Sequence, residues 1–428
     1  MSCPDADLLI AGGGLAAQRC CETLRRLGFD GRIVVLCEEP STPYDRPPLS
    51  KSVLIDEREP EGLSFRPASW YEEHDVELLL GVAAAELDLA ERTIVLSERA
   101  SAAGPGGRRD AGRMRFKELL IATGSRPRRL QGIPVGGAVH ELRTHEDALL
   151  LRAALRERDG RLAILGAGLI GMEVAAAARA LGREVTLIEA AETPLARVLP
   201  PALGSWIAYL HRLHGVDVRL ATAVERVSLQ EGSARLELSD ASVLDAAGVL
   251  VAVGTSPATE WLASAGLGPG AIYTDAGGRT ELPGVYAAGD AACFPDPFLK
   301  LPLPSQHWEA AVRQGVAVAR SIVGLPPAPP APSMFWSDQH GHRIQFVGHA
   351  TPDCEIELDG DPATGESFAA WIARAGRPQG ALLVDRPQSL PAARARIAGA
   401  EEPSVSSGEK SSDNNNHSKR GALWPAYR

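Results

Sequence analysis

The chain has 428 residues, 45% hydrophobic and 23% charged, with a net charge of -10. This length predicts about three domains, and the composition excludes collagen, global disorder and, with no apolar run near ~20 residues, a membrane span. The acidic balance argues against a nucleic-acid surface, and six cysteines without CxxC or CxxxxC spacing argue for a reducing cytoplasm and against a zinc site.

The elements follow in chain order. Residues 1–5 carry no basic region, so no signal peptide is expected. Residues 7–11 form an apolar run that predicts a buried parallel strand. Gly12, Gly13 and Gly14 come next, then a helical apolar pattern over 15–27 that Gly28 closes. A second strand is predicted over 32–37, ending at Glu38. Residues 101–113, rich in Gly and Arg, read as a hairpin loop, and 119–124 as a buried strand ending in Gly124. The βαβ pattern then recurs: strand 162–165, glycine turn 166–171, helix 172–181 closed by Gly182, and strand 185–188 ending at Glu189. Residues 249–254 resemble 119–124, another buried strand ending in glycine.

Both glycine-ended strands fall where the chain would pass between domains, so the second βαβ unit is expected to be inserted into the first. Pro-rich 326–332 reads as a linker. The expected fold is α/β: two Rossmann-like dinucleotide-binding domains and a small α+β C-terminal domain. The expected spans are 5–115 and 247–325 for the split domain, 116–246 for the inserted one and 333–400 for the last. Residues 401–428 have few apolar groups and are expected to be a disordered tail.

Gly12-x-Gly14-x-x-Ala17 fits GxGxxG/A. The first glycine permits the tight turn, the second lets backbone approach a pyrophosphate, and the small third residue packs helix on strand. Leu15 and Ala16 then offer free helix N-terminal amides to the phosphates. Glu38 lies at a strand end, spaced to accept bonds from ribose hydroxyls. A plain glycine turn is the alternative. Gly166-x-Gly168-x-x-Gly171, with Ile170 in the same turn, repeats the pattern, and Glu189 supplies the acid. A carboxylate there favours NADH over NADPH; Arg197, further on, pulls slightly the other way.

Two dinucleotide units in one chain suggest a flavoprotein reductase. Residues 280–290, ending Ala287-Ala288-Gly289-Asp290, resemble the second FAD motif of the pyridine nucleotide–disulfide reductase superfamily. The resemblance makes Asp290 a contact of the FAD ribityl chain. Ala122-Thr123-Gly124 resembles the motif at the domain crossover. Within the superfamily, Pro43-Tyr44-Asp45-Arg46-Pro47-Pro48-Leu49-Ser50-Lys51 is similar to the ferredoxin reductase subfamily, which serves Rieske oxygenases and haem monooxygenases. Ser305-Gln306-His307-Trp308-Glu309 and Phe335-Trp336-Ser337-Asp338-Gln339 resemble its flavin-flanking segments. Disulfide reductases carry a redox CxxxxC shortly after the ribose acid. Here the 44–51 segment stands in its place without cysteine, so electrons should leave the flavin directly.

The resemblance implies FAD and NADH as cofactors and a small iron–sulfur ferredoxin, or a rubredoxin, as acceptor, with an oxygenase served indirectly. It places Lys51 beside the flavin, paired with Glu173, where a cation would stabilise the reduced, anionic ring. A surface lysine is the alternative for Lys51, and a helix-dipole acid for Glu173. Arg46 carries over as an FAD contact, Ala122 as part of the crossover motif, and Arg126 as a phosphate or flavin-edge contact. Trp308 and Trp336 resemble aromatics beside the flavin, although either could be a core tryptophan. Cys20-Cys21 reads as buried helix packing, because adjacent helical cysteines make a strained disulfide. His211 and His214 read as a surface helix, and His340 and His342 as packing. Rubredoxin reductase, NADH oxidase and an NADH-sensing protein of the apoptosis-inducing-factor type are the alternative readings.

Overall fold

The computed structural model describes residues 5–56, 60–98, 109–157, 159–304, 306–351 and 353–399. The expected tail over 401–428, Ser305 and residues 101–108 of the expected loop lie outside them. The chain forms two compact units. The first comprises Met1–Val135, His140–Glu157 and Val251–Pro330; the second comprises Gly136–Val139, Arg158–Leu250 and Ala331–Arg428.

The first unit is built on a parallel sheet. Its strands run in the order Val76–Leu80, Ile33–Cys37, Ala6–Ala11, Arg109–Ile121 and Val285–Ala287. Leu8, Leu9 and Ile10 have no exposed surface, because both faces of the sheet are covered. Leu8 and Ile10 face a layer that includes Cys20, Leu24 and Val318, from the helices Leu15–Arg26 and Trp308–Ile322. Leu9 packs with Leu87, Ile94 and Leu262 on the other face.

The strand Arg109–Ile121 is long enough to serve two sheets. Its C-terminal half pairs in parallel with Ala6–Ala11, and its N-terminal half pairs antiparallel with Thr93–Glu98. The boundary expected at 115/116 therefore falls inside one continuous strand whose apolar positions Phe116, Leu119 and Leu120 are buried in the first unit. Residues 109–113, expected as loop, belong to it too. The second boundary shifts as well. Gly248–Val251 joins the second unit's sheet, and the unit changes at the end of that strand.

The second unit carries a sheet ordered Asp217–Arg219, Glu184–Ile188, Arg161–Leu165, Gly248–Val251 and Val139–His140. The first three strands are parallel. The helix expected over 172–181 starts earlier and spans Leu169–Ala180. Gly171 allows this: a side chain there would strike the Gly166 carbonyl and crowd Ile164, so only glycine lets the first turn lie against the strand. The C-terminal segment forms a five-stranded antiparallel sheet ordered Met334–Gln339, His342–Gly348, Arg377–Val384, Phe368–Arg374 and Glu355–Asp359. Helix Leu390–Ala398 covers one face through Ala393. Trp206, on helix Pro201–Leu213, packs edge-on against Phe368 with ring centroids 4.9 Å apart. That contact packs the C-terminal sheet, in the domain expected from 333, onto helix Pro201–Leu213.

Among the described residues, no helix is long and apolar enough to cross a membrane, and no group of three or more His, Cys, Asp or Glu is placed to hold a metal ion.

Candidate functional site

In the first unit the glycine turn meets the crossover motif. Gly12 has φ +112°, a left-handed conformation that favours glycine, and a side chain there would overlap the Ala122 carbonyl. Gly14 differs: a Cβ built on it meets nothing within 4 Å. Gly14 is the N-cap of helix Leu15–Arg26 and no side chain caps it. The first helical amides are thus open to an anion, as a pyrophosphate requires. Ala16 and Ala17 are buried beneath this turn. The Asp290 loop sits beside it, with a Cβ on Gly289 coming 3.3 Å from the Ala16 methyl.

Asp290 is held firmly. Ser125 Oγ donates to its Oδ2 at 2.8 Å, and Arg143 Nη2 donates to the same oxygen at 2.9 Å. Both bonds fall on Oδ2. Burial pulls the Arg143 guanidinium below its usual range and the Arg46 charge adds to this, while Asp290 opposes them. Arg46 is half-buried against the same cluster. It bonds Glu39 Oε1 at 2.7 Å and the Arg143 carbonyl at 2.6 Å, and lies over the Tyr44 ring. Burial opposes its charge, but Glu39 and Tyr44 outweigh it and raise its pKa.

Arg143, Ser125 and Glu39 were not legible as site residues. A signal for Arg143 did exist. Thr144 and Asp147 form a reciprocal cap: Asp147 Oδ2 accepts from the Arg143 and Thr144 amides, and Thr144 Oγ1 accepts from the Asp147 amide. That cap starts helix His145–Glu157 and fixes Arg143 just ahead of it.

Glu38 follows strand Ile33–Cys37, and Arg126 Nη2 lies 3.5 Å from its Oε2. The structure thus brings Arg126 to Glu38. Trp308 opens helix Trp308–Ile322, and its Nε1 donates to Asp45 Oδ1 at 2.7 Å. Burial pushes the Asp45 carboxyl up, while the Trp308 bond and the Lys51 charge pull it back. Asp45, Lys51 and Trp308 therefore form one cluster, and Lys51 Nζ also donates to the Pro47 carbonyl at 3.3 Å. Cys20, Cys21 and Cys37 are buried, and burial pushes their thiols up, to about 12 for Cys21 and Cys37.

In the second unit Gly168 is the N-cap of helix Leu169–Ala180, again without a side-chain cap. Gly166 takes φ +103°, and its amide donates to the Ile188 carbonyl at 2.8 Å. Ile170 is exposed in the first turn. Both oxygens of Glu189 accept backbone amides: Oε2 from Ala167 at 2.7 Å and Oε1 from Ala191 at 2.9 Å. The carboxylate is thereby fixed at the rim of the turn. The Leu195 amide donates to the Ala167 carbonyl at 3.2 Å, which anchors the loop carrying exposed Arg197 to the same turn.

Glu173, in the second turn of that helix, is buried and accepts from Ser337 Oγ at 2.6 Å. Trp336 precedes Ser337 on strand Met334–Gln339, and the Arg343 guanidinium lies over its ring. Lys51 and Glu173 belong to different units. The surface position expected for His211 is corrected. It has no exposed surface, because helix Pro201–Leu213 turns it toward Gln339 and His340.

Comparisons with known proteins agree with this construction. Residues 6–315 match the family model for the pyridine nucleotide-disulphide oxidoreductases, and 334–410 match the reductase C-terminal model. The ferredoxin--NAD(P)(+) reductase fdr of Sphingomonas sp is 37% identical over 377 residues, covering 87% of both chains. The ferredoxin--NAD(+) reductase component of the anthranilate 1,2-dioxygenase system of Burkholderia cepacia is 34% identical over 400 residues, covering 92% of this chain and 95% of that one. Among solved structures, the covalent putidaredoxin reductase–putidaredoxin complex aligns with a TM-score of 0.84 at 27% identity, covering 93% of this chain and 94% of that one.

Proposed function

The chain belongs to the pyridine nucleotide-disulphide oxidoreductase family, and from that premise we propose that it is an NADH-dependent, FAD-containing reductase that passes single electrons to a ferredoxin supplying a Rieske-type or haem oxygenase. The observation that carries this reading is the Asp45–Lys51–Trp308 cluster. It stands where a disulfide reductase would hold its redox cysteines, so no thiol relay intervenes. Bound FAD would supply the exchange between two-electron hydride chemistry with NADH and single-electron transfer.

The chain's own residues bind, orient and shield. Gly12, Gly14, Leu15, Ala16 and Ala17 cradle the FAD pyrophosphate, and Glu38 accepts from the ribose, steadied by Arg126. Asp290 serves the ribityl chain through Oδ1, because Ser125 and Arg143 already occupy Oδ2. Arg46 ties Glu39 to the Arg143 backbone and so holds that pair in place. Ala122 closes the turn against Gly12. The Lys51 ammonium stabilises negative charge on the reduced ring. Trp308 excludes water, and its bond to Asp45 fixes the indole plane. In the second unit Gly166, Gly168, Ile170 and Gly171 receive NADH, with Arg197 at the rim. Glu189 takes the ribose diol and repels a ribose phosphate. Glu173 and Trp336 are the catalytic candidates of the second unit.

The reading is of a cytoplasmic enzyme, consistent with five unpaired cysteines among the described residues. NADH-driven reduction of cytochrome c, with and without candidate ferredoxins and rubredoxins, tests it. A ferredoxin should accelerate the reduction strongly. NADH consumption that tracks oxygen uptake and ignores every carrier would replace the reading with that of an oxidase.

A further inference from the structure

A single hydrogen-bonded chain runs through the second unit and ends on Glu173. Ser337 Oγ donates to Glu173 Oε1 at 2.6 Å, and Gln339 Nε2 donates to Ser337 Oγ at 2.9 Å. His211 Nε2 lies 3.0 Å from Gln339 Oε1, and His340 Nε2 lies 3.1 Å from His211 Nδ1. Ser337, Gln339 and His211 are all buried, and Ser337 and Gln339 share one face of their strand by the two-residue repeat.

The donors in this chain all point one way. The Gln339 amide nitrogen serves Ser337, so its oxygen must accept, and His211 must carry its proton on Nε2. Neutral His211 then has a bare Nδ1, which accepts from His340 Nε2–H. Burial keeps both imidazoles neutral, pushing His211 down to about 4 and His340 to about 3. The far end is also built at a cost. His340 and Gly341 form the tight turn between strands Met334–Gln339 and His342–Gly348, with φ +51° and +86°. Asn or Gly suits such a turn better than His. Instead a histidine sits there, stacked on His214 with centroids 4.1 Å apart and interplanar angle 14°.

The geometry points to His211 as a positioning residue for Glu173. Its Nε2–H fixes the Gln339 amide, the amide fixes the Ser337 hydroxyl, and the hydroxyl holds the Glu173 carboxylate in one orientation. Without His211, the Gln339 amide is free to turn over. It would then offer its oxygen to Ser337, draw the hydroxyl proton away and leave Glu173 without this donor. The inference rests on the proposed role of Glu173 in NADH oxidation, but the state of the chain is measurable apart from it.

Two measurements test it on the holoenzyme. Nitrogen-15 NMR of histidine-labelled protein should show His211 as the neutral Nε2–H tautomer; an Nδ1–H tautomer would overturn the proposal whatever the enzyme's activity. In stopped-flow flavin reduction, His211→Leu and Ser337→Ala should each slow the limiting rate about tenfold, the loss of roughly one hydrogen bond to a charged group. The apparent NADH affinity should stay unchanged. The double variant should be no slower than either single one, since both cut the same chain. His211→Gln, which keeps an amide donor, should recover most of the rate. Additive losses, or no rescue by Gln, would reduce His211 to a packing role. Ser337→Ala removes one oxygen only, so it stays informative if His211→Leu does not fold. Absence of NADH-driven reduction in the wild type would instead count against the proposed function, leaving the tautomer result standing.

Discussion

Gly171→Ala tests how the second glycine turn receives NADH. A methyl on Gly171 would overlap the Gly166 carbonyl oxygen and come within 3.2 Å of Ile164 Cγ2. The carbonyl belongs to the turn itself, so the helix must withdraw, by roughly 1 Å. Overpacking of this kind costs about 1–3 kcal/mol, and the better helix propensity of alanine returns about 1 kcal/mol. The net loss, up to about 2 kcal/mol, should lower the melting temperature by up to roughly 5 °C. The N-terminal amides of Leu169–Ala180 retreat with the helix, further than the ~0.5 Å spread that an N–H···O bond tolerates. One lost bond to a charged phosphate is worth about 1.5–3 kcal/mol. The KM for NADH should therefore rise about tenfold to a hundredfold. Flavin content should not change, because the first turn is untouched. Steady-state kinetics, calorimetry and flavin absorbance read all three quantities. An unchanged KM at a lowered melting temperature would refute the link between packing and nucleotide binding. A raised melting temperature would refute the packing argument itself. The first turn supplies the mirror experiment: alanine already fits at Ala17 with no exposure, so Ala17→Gly should cost stability without emptying the flavin site.

Four further outcomes are expected. Lys51→Met should keep FAD but slow its reduction by NADH about a hundredfold, the usual effect of removing one electrostatic stabiliser; wild-type reduction in a stopped-flow trace would count against the lysine. The wild type should prefer NADH, and Glu189→Ala should narrow the ratio of kcat/KM for NADH over NADPH; a wild-type preference for NADPH would contradict the role of Glu189. Arg143→Met should lower flavin content and cost about 2–3 kcal/mol, since Asp290 keeps its charge and loses its partner, as urea titration and absorbance at the flavin band would report. His211 should make the fold acid-sensitive. The unfolded imidazole takes a proton near 6.5 and the folded one only near 4, so stability is lost as pH falls through that window, by about 2 kcal/mol at pH 5. His211→Gln should flatten this slope between pH 7 and 5, which denaturant melts at several pH values would detect.

Much of the candidate site's geometry was legible because it is local. A glycine turn between strand and helix, with an acid at the next strand end, is set by backbone sterics over about thirty residues. Gly12, Gly14, Ala17 and Glu38 could be read this way, as could Gly166, Gly168, Gly171 and Glu189. The absence of cysteine after Glu38 was legible for the same reason. Lys51 and Asp290 stood out only through resemblance, since nothing in their own spacing states a role.

The sequence by itself determined two βαβ units, their glycine turns and the acids at the following strand ends, because these depend on neighbours in the chain. The tertiary structure alone decided what long-range contacts decide. Arg143 reaches Asp290 across 147 positions, and Trp308 reaches Asp45 across 263. Arg109–Ile121 is one strand serving two sheets, a fact invisible where a glycine-rich run masks its start. His211 looked like a surface residue because i, i+3 spacing says which side chains share a helix face, not what covers that face. Here the strand Met334–Gln339 brings Gln339 to His211, and the imidazole becomes part of the chain that ends on Glu173.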